Sequence, residues 1–181
     1  MNMQIKNQTG AALIISMIIL VLMTLLGLSS IRTSSLEEKM TANLRDQELA
    51  FQAAEIALRD AEKRISGFAN EHIATQDGSN ENIWTTNAMD ATPTNATPWW
   101  VERNEAWWNA NGVASVNVEN VATPPRYIIE QLVFDKDNAA MGTGSPVDGQ
   151  IYYRITARGT GGSNQARVLL QSTVIKRYLY E

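Results

Sequence analysis

Ala11 to Ile31 are 21 residues without a charge, set between a polar leader ending at Gly10 and an amphipathic stretch free of proline to Ile65. A run of this length crosses a hydrocarbon core of roughly 30 Å, which needs about 20 helical residues. Its twelve Leu, Ile and Val residues each favour insertion by roughly 0.3 to 0.6 kcal/mol, about 5 kcal/mol together before Ser16, Thr24, Ser29 and Ser30 reduce the sum modestly. From Leu36 onward the apolar positions return in steps of three, four and seven. Leu36, Met40, Leu44, Phe51, Ala54, Leu58, Ala61 and Ile65 track one helical face. Glu55 with Arg59 and Asp60 with Arg64 stand four apart on other faces, a spacing worth about 0.2 to 0.5 kcal/mol per pair. The pattern predicts one helix from Ala11 to Ile65 with Gly67 as its stop. Residues 11–31 are apolar all round, and residues 32–66 offer one stripe to a sheet. Gly27 and Ser29-Ser30 are its weak points, since Gly costs about 1 kcal/mol against Ala in a helix.

The last third of the chain switches to a period of two. In Gln150 to Arg158, Ile151, Tyr153, Ile155 and Ala157 alternate with polar or amphipathic residues, which is the pattern of a half-buried antiparallel strand. Gly159 to Asn164 reads as a flexible turn, and Arg167 to Lys176 as a returning strand with Val168, Leu170, Ser172 and Val174 on one face. Tyr127 to Phe134 is a third strand, and Val113 to Glu119 a weaker fourth. The expected fold class is α+β: a long N-terminal helix packed on a small antiparallel sheet, residues 127–181 forming the meander. Residues 67–126 read as an irregular connecting region, with a Thr, Asn and Pro-rich linker from Asp90 to Pro98.

Composition then narrows the function. With 44% hydrophobic and 19% charged residues and a net charge of −4, the 150 residues beyond the apolar run suffice for one domain with its own core, not a disordered tail or a basic nucleic-acid module. There is no Cys, and His72 is the single histidine, so nucleophile–histidine pairs and histidine metal clusters have little to draw on. His72 is expected to be a solvated loop residue. The reading is non-enzymatic, without a cofactor. Asp135, Asp137 and Asp148 offer oxygen ligands beside Lys136 and Asn138, yet the Gly and Glu positions of a calcium hand are absent, and an ordinary polar hairpin loop explains them. Direct nucleic-acid binding is not expected: Arg154, Arg158 and Arg167 would share a solvated sheet face, while the connecting region carries seven carboxylates against two arginines. That same region holds all five tryptophans, Trp84, Trp99, Trp100, Trp107 and Trp108. Trp99, Trp100, Trp107 and Trp108, paired eight apart, are candidate partner-binding rings. The favoured alternative packs them onto the long helix.

The junction Lys6-Asn7-Gln8-Thr9-Gly10 followed by Ala11-Ala12-Leu13-Ile14 resembles that of a type IV prepilin. With Leu44-Arg45-Asp46 and Glu48 to Glu55 downstream, it is most similar to the PilX-type minor pilins, over about residues 5 to 60. An ordinary secretory signal has a shorter apolar core and a cleavage site beyond it. The resemblance implies that a prepilin peptidase cuts between Gly10 and Ala11, that Ala11 is then methylated, and that Ala12, Leu13, Ile14 and Ile15 enter the filament core. Gly10 lets a protease approach the backbone closely. Most major pilins carry a glutamate at the fifth place after the cut, where this chain has Ile15. A carboxylate in the apolar zone costs about 2.5 to 3.5 kcal/mol, and its absence fits a subunit at or near the tip. Arg32 stands where major pilins often have a proline, so no sharp kink is expected there.

The expected protein is therefore a minor pilin that primes type IV pilus assembly with other minor pilins and the major pilin at the inner-membrane assembly platform. Twitching motility, adhesion and DNA uptake would depend on it. The resemblance places the leader in the cytoplasm, the chain as a single pass in the inner membrane and the C-terminal domain in the periplasm, then on the pilus surface. Charge counting alone leans the other way, with Arg32, Lys39 and Arg45 behind the span. The alternatives are a tip pseudopilin of a type II secretion system and a pilus-tip adhesin with a tryptophan-rich surface.

Overall fold

A computed structural model describes residues 9–137 and 148–179; residues 1–8, which make up most of the leader, residues 138–147, which include Asn138, and residues 180–181 lie outside it. The order of elements is α1 (Thr9–Ser66), β1 (Ile83–Thr85), α2 (Trp99–Glu102), α3 (Glu105–Asn111), β2 (Val113–Ala114), β3 (Arg126–Lys136), β4 (Gly149–Thr160) and β5 (Arg167–Tyr178). The chain divides into two units, residues 1–44 and residues 45–181, with α1 contributing to both.

The first unit is helix. Its large apolar residues between Leu13 and Ile31 are 48% to 72% exposed. Ser16 and Thr24 return their hydroxyls to the carbonyls of Leu13 and Val21, both at 2.8 Å, so neither leaves an unpaired polar group on the apolar surface. Thr33 does the same to Ser29, at 3.1 Å.

In the second unit, residues from Arg45 to Ser66 lie on a sheet of strand order β1-β3-β4-β5, with β2 against the start of β3. The long strands pair antiparallel, as the period of two predicts. The sheet is nonetheless mixed, because β1 runs parallel to β3 with Ile83 opposite Ile129. The expected fourth strand over Val113 to Glu119 shrinks to Val113–Ala114. Residues 67–126 are mostly irregular, as expected, but are interrupted by the short elements β1, α2, α3 and β2.

The helix stripe that meets the sheet is Ala50, Ala53, Ala54, Ala57, Ala61 and Ile65, all fully buried. This corrects the predicted face: Phe51 is 48% exposed, and Leu36, Met40 and Leu44 are exposed as well. The cause is the closeness of the two backbones. A Cβ on Gly159 would collide with the Ala50 carbonyl and the Ala54 amide, so only alanines fit opposite, and the bulkier phenylalanine turns outward. Gly159 and Gly161 are buried contact points, not the flexible turn expected of them. Against this stripe pack Ile129, Ile151, Tyr153, Ile155 and Ala157.

Polar clasps hold α1 from Asp46 to its end. Asp46 accepts from the Ser163 hydroxyl at 2.5 Å and from its amide at 3.2 Å. Glu62 accepts from Ser172 at 3.1 Å. Asp60 accepts from Ser115 at 3.0 Å, and Arg64 reaches Glu81, so the expected Asp60–Arg64 pair is replaced by tertiary partners; Glu55–Arg59 forms at 2.5 Å. Gly67 ends the helix as predicted, its amide donating to Lys63 and Arg64 carbonyls, while Lys176 donates to the Ser66 carbonyl at 2.8 Å.

The Asp46 clasp gives a pH prediction. The Ser163 hydroxyl, helped by the Ser163 and Gly162 amides and opposed by desolvation, holds the carboxyl below its ordinary 3.8. A carboxyl with a lower pKa when folded contributes stability above its unfolded pKa and loses it as pH falls through the folded value. Melting midpoints of the full chain in detergent should fall more steeply below about pH 4 than those of Asp46→Asn. Parallel curves would show that the clasp carries no acid sensitivity.

Candidate functional site

Two surfaces carry the sequence-derived candidates. On the first, Gly10 to Ile15 all lie within α1, and Ala11, Ala12, Leu13, Ile14 and Ile15 are exposed. The helix holds an 18-residue window of mean hydropathy 2.8, none of it buried, so it is long and apolar enough to cross a membrane. Such a surface is stable only in lipid or against other apolar helices.

The second surface lies on the opposite face of the sheet from α1. Ile129 points to the helix side, whereas Ile128 packs with Trp84, Met89, Trp99 and Trp108. The tryptophans therefore pack, but on the outer sheet face and not on the long helix. Trp99 and Trp108 are 1% exposed, while Trp100 and Trp107 are half-buried. Ring centroids lie 5.6 Å apart for Trp99–Trp100, 5.7 Å for Trp99–Trp108 and 6.1 Å for Trp84–Trp107, within the range of favourable aromatic pairs. Two short helices set them. Pro98 fixes the entry to α2 at φ −63°, and Asn104 caps α3 by accepting from the Trp107 amide at 2.9 Å.

Beneath the rings is a charged pair that the periodicity does not reveal. Glu130 is fully buried on β3 and takes Arg154 of β4 in a two-pronged contact, Nε to Oε2 at 2.8 Å and Nη2 to Oε1 at 2.7 Å. Asn87, held in the left-handed region at φ 56°, donates its amide to Glu130 and accepts from Arg154. The Arg154 guanidinium stands 5.1 Å from the Trp100 ring centre, and that of Arg103 5.0 Å from Trp107. The expected solvated face of arginines is thus a covered one: Arg154 is half-buried, Arg158 buried and Arg167 alone exposed. The acidic residue inside the apolar run Ile128-Ile129-Glu130 was the readable sign of a buried partner.

His72 is half-buried, its ring 4.2 Å from that of Phe68, and its Nδ1 lies 2.9 Å from the Asn70 carbonyl. It lies in a loop, as expected, but is partly covered by Phe68 instead of fully solvated. Asp135 lies in β3 opposite Gln150. Asp137 accepts from Arg177 at 2.5 Å, and its amide donates to the Asp148 carbonyl at 2.9 Å. Among the described residues no group of three or more His, Asp or Glu is gathered for a metal.

An uncovered apolar N-terminal helix, continuous with a stretch that packs on a small mixed sheet, defines an α+β protein of the pilin-like class. The particular family follows from the match of residues 70–176 to the C-terminal domain of the type IV pilus assembly protein PilX and of residues 9–59 to the PilX N-terminal domain. The chain belongs to the PilX family of type IV pilus assembly proteins. Neither a curated protein nor a solved structure matches it.

Proposed function

We propose that this chain is a minor pilin, cut by prepilin peptidase between Gly10 and Ala11 and methylated on Ala11, which joins other minor pilins in a complex that primes pilus growth. The observation that carries the reading is the apolar surface from Ala11 to Ile31, uncovered within the chain and lying immediately behind Gly10. The same surface serves twice: in lipid as an anchor of the inner membrane, then against the helices of neighbouring subunits and the major pilin. The domain after it lies in the periplasm and later on the filament. Ile15 forms no ion pair with a neighbour's terminal amine, which suits a subunit at or near the tip. The role is structural, and motility, adhesion and DNA uptake depend on it through the filament.

In cells that hold the peptidase and the assembly platform, mass spectrometry of the protein should find Ala11 as the methylated N-terminus. Gly10→Val should leave Met1 or Asn2 at the N-terminus and keep the chain out of sheared filaments, because a branched side chain blocks close approach to the scissile backbone. Uncut wild-type protein in such cells would refute the proposal. A strain without the protein should show few surface pili.

A further inference from the structure

Between α2, α3 and the outer face of β4 and β5 lies a cavity of about 240 Å³ lined by Trp100, Val101, Arg103, Trp108, Arg158, Arg167 and Leu169. Its inner end is formed by the buried Trp108 and Arg158, its rim by the exposed Val101 and Arg167. Arg158 is the unusual member. Its residue is 6% exposed, yet the buried Nη2 makes no hydrogen bond, and Glu105 approaches only to 3.9 Å. A buried donor left unpaired is costly, and a guanidinium is satisfied best by the fork of a carboxylate. Arg126 sits directly across the strands from Arg158. Burial pushes the Arg158 guanidinium below its usual pKa; Glu105 opposes this, while Arg167 and Arg126 add to it. The cavity therefore gathers Arg103, Arg158 and Arg167, with Glu105 as a long, partial counter-charge to Arg158, in a chain whose net charge is −4.

The geometry points to a binding site for a carboxylate carried on a ring of monosaccharide size, a uronic acid for example, with Arg167 and Arg158 facing the carboxylate and Trp100, Trp108 and Leu169 facing the ring. The volume falls below the usual 300 to 1,000 Å³ of drug-sized sites, so the ligand is small. Apolar walls with convergent arginines favour an anion with an apolar ring face over a bare, strongly hydrated ion. The site does not depend on the role in pilus assembly.

Tryptophan emission of the full mature chain in detergent micelles, titrated with glucuronate, tests it, because two of the five indoles line the cavity. A saturable change is expected with a Kd of about 1 to 10 mM, at least ten times weaker in Arg167→Ala and unchanged in Arg59→Ala, whose ion pair lies on α1 far along the chain. Arg167 is exposed, so its removal leaves the fold intact, and an unaltered melting midpoint verifies this. Glucose should give no response and inorganic phosphate a weaker one. Absence of saturation, equal binding by Arg167→Ala, or an equal response to glucose, phosphate or triglutamate would overturn the assignment.

Discussion

Replacing Gly159 by alanine is expected to destabilise the C-terminal unit by about 3 kcal/mol or more, the upper end of what overpacking costs. The new Cβ would strike backbone atoms of Ala50, Ala53 and Ala54, and these belong to a hydrogen-bonded helix that cannot give way as a flexible side chain would. Relief requires lifting α1 off β4, which also opens the Asp46–Ser163 clasp. Gly162→Ala is the control, because its Cβ would meet its neighbours at 3.4 and 3.5 Å, ordinary contact distances. Urea unfolding of the full chain in detergent, followed by tryptophan emission, should show the first variant far below wild type and the second within about 0.5 kcal/mol of it. Near-equal midpoints for the two glycine variants would mean that the helix and sheet are not in backbone contact.

Glu130→Ala should cost about 3 to 5 kcal/mol, the range for removing one partner of a buried ion pair. The substitution strands the Arg154 guanidinium beneath the tryptophans and deprives the Asn87 amide of its acceptor. The Glu130 carboxylate helps to hold Asn87 at φ 56°, so the turn after β1 should loosen with it. Replacing both partners, Glu130→Leu with Arg154→Met, should recover much of the loss, since well-packed apolar residues often serve as well as a buried pair. The same unfolding measurement decides: a single Glu130→Ala variant within about 1 kcal/mol of wild type contradicts the network's role.

Residues with strong periodicity disclosed themselves in the sequence. The α1 bounds, the Gly67 stop and the three long strands follow from spacing alone, because amphipathic patterns of 3.6 and 2 are imposed by burial on one side. Phe51 shows where that reasoning fails. Spacing marks which residues are apolar on a face, but the separation of two backbones decides which size is admitted, and the Ala50–Ala57 stripe is set by Gly159 across the interface. The short elements were hidden for another reason. Residues β1, α2 and α3 contribute are three, four and seven in number, too few for a period to emerge, although Asn104 before Glu105 was a local capping signal. Within the candidate site, the apolar run was legible from order along the chain, and Gly10 before it belongs to the proposal. The Glu130–Arg154 pair and the Arg158 cavity were not, since they join residues that only the strand register brings together.

The sheet has a different tenant on each side: alanines of α1 on one, tryptophans and arginines on the other. Such a division lets one face of the sheet keep the seat of the helix, while the other is free to diversify in what it touches.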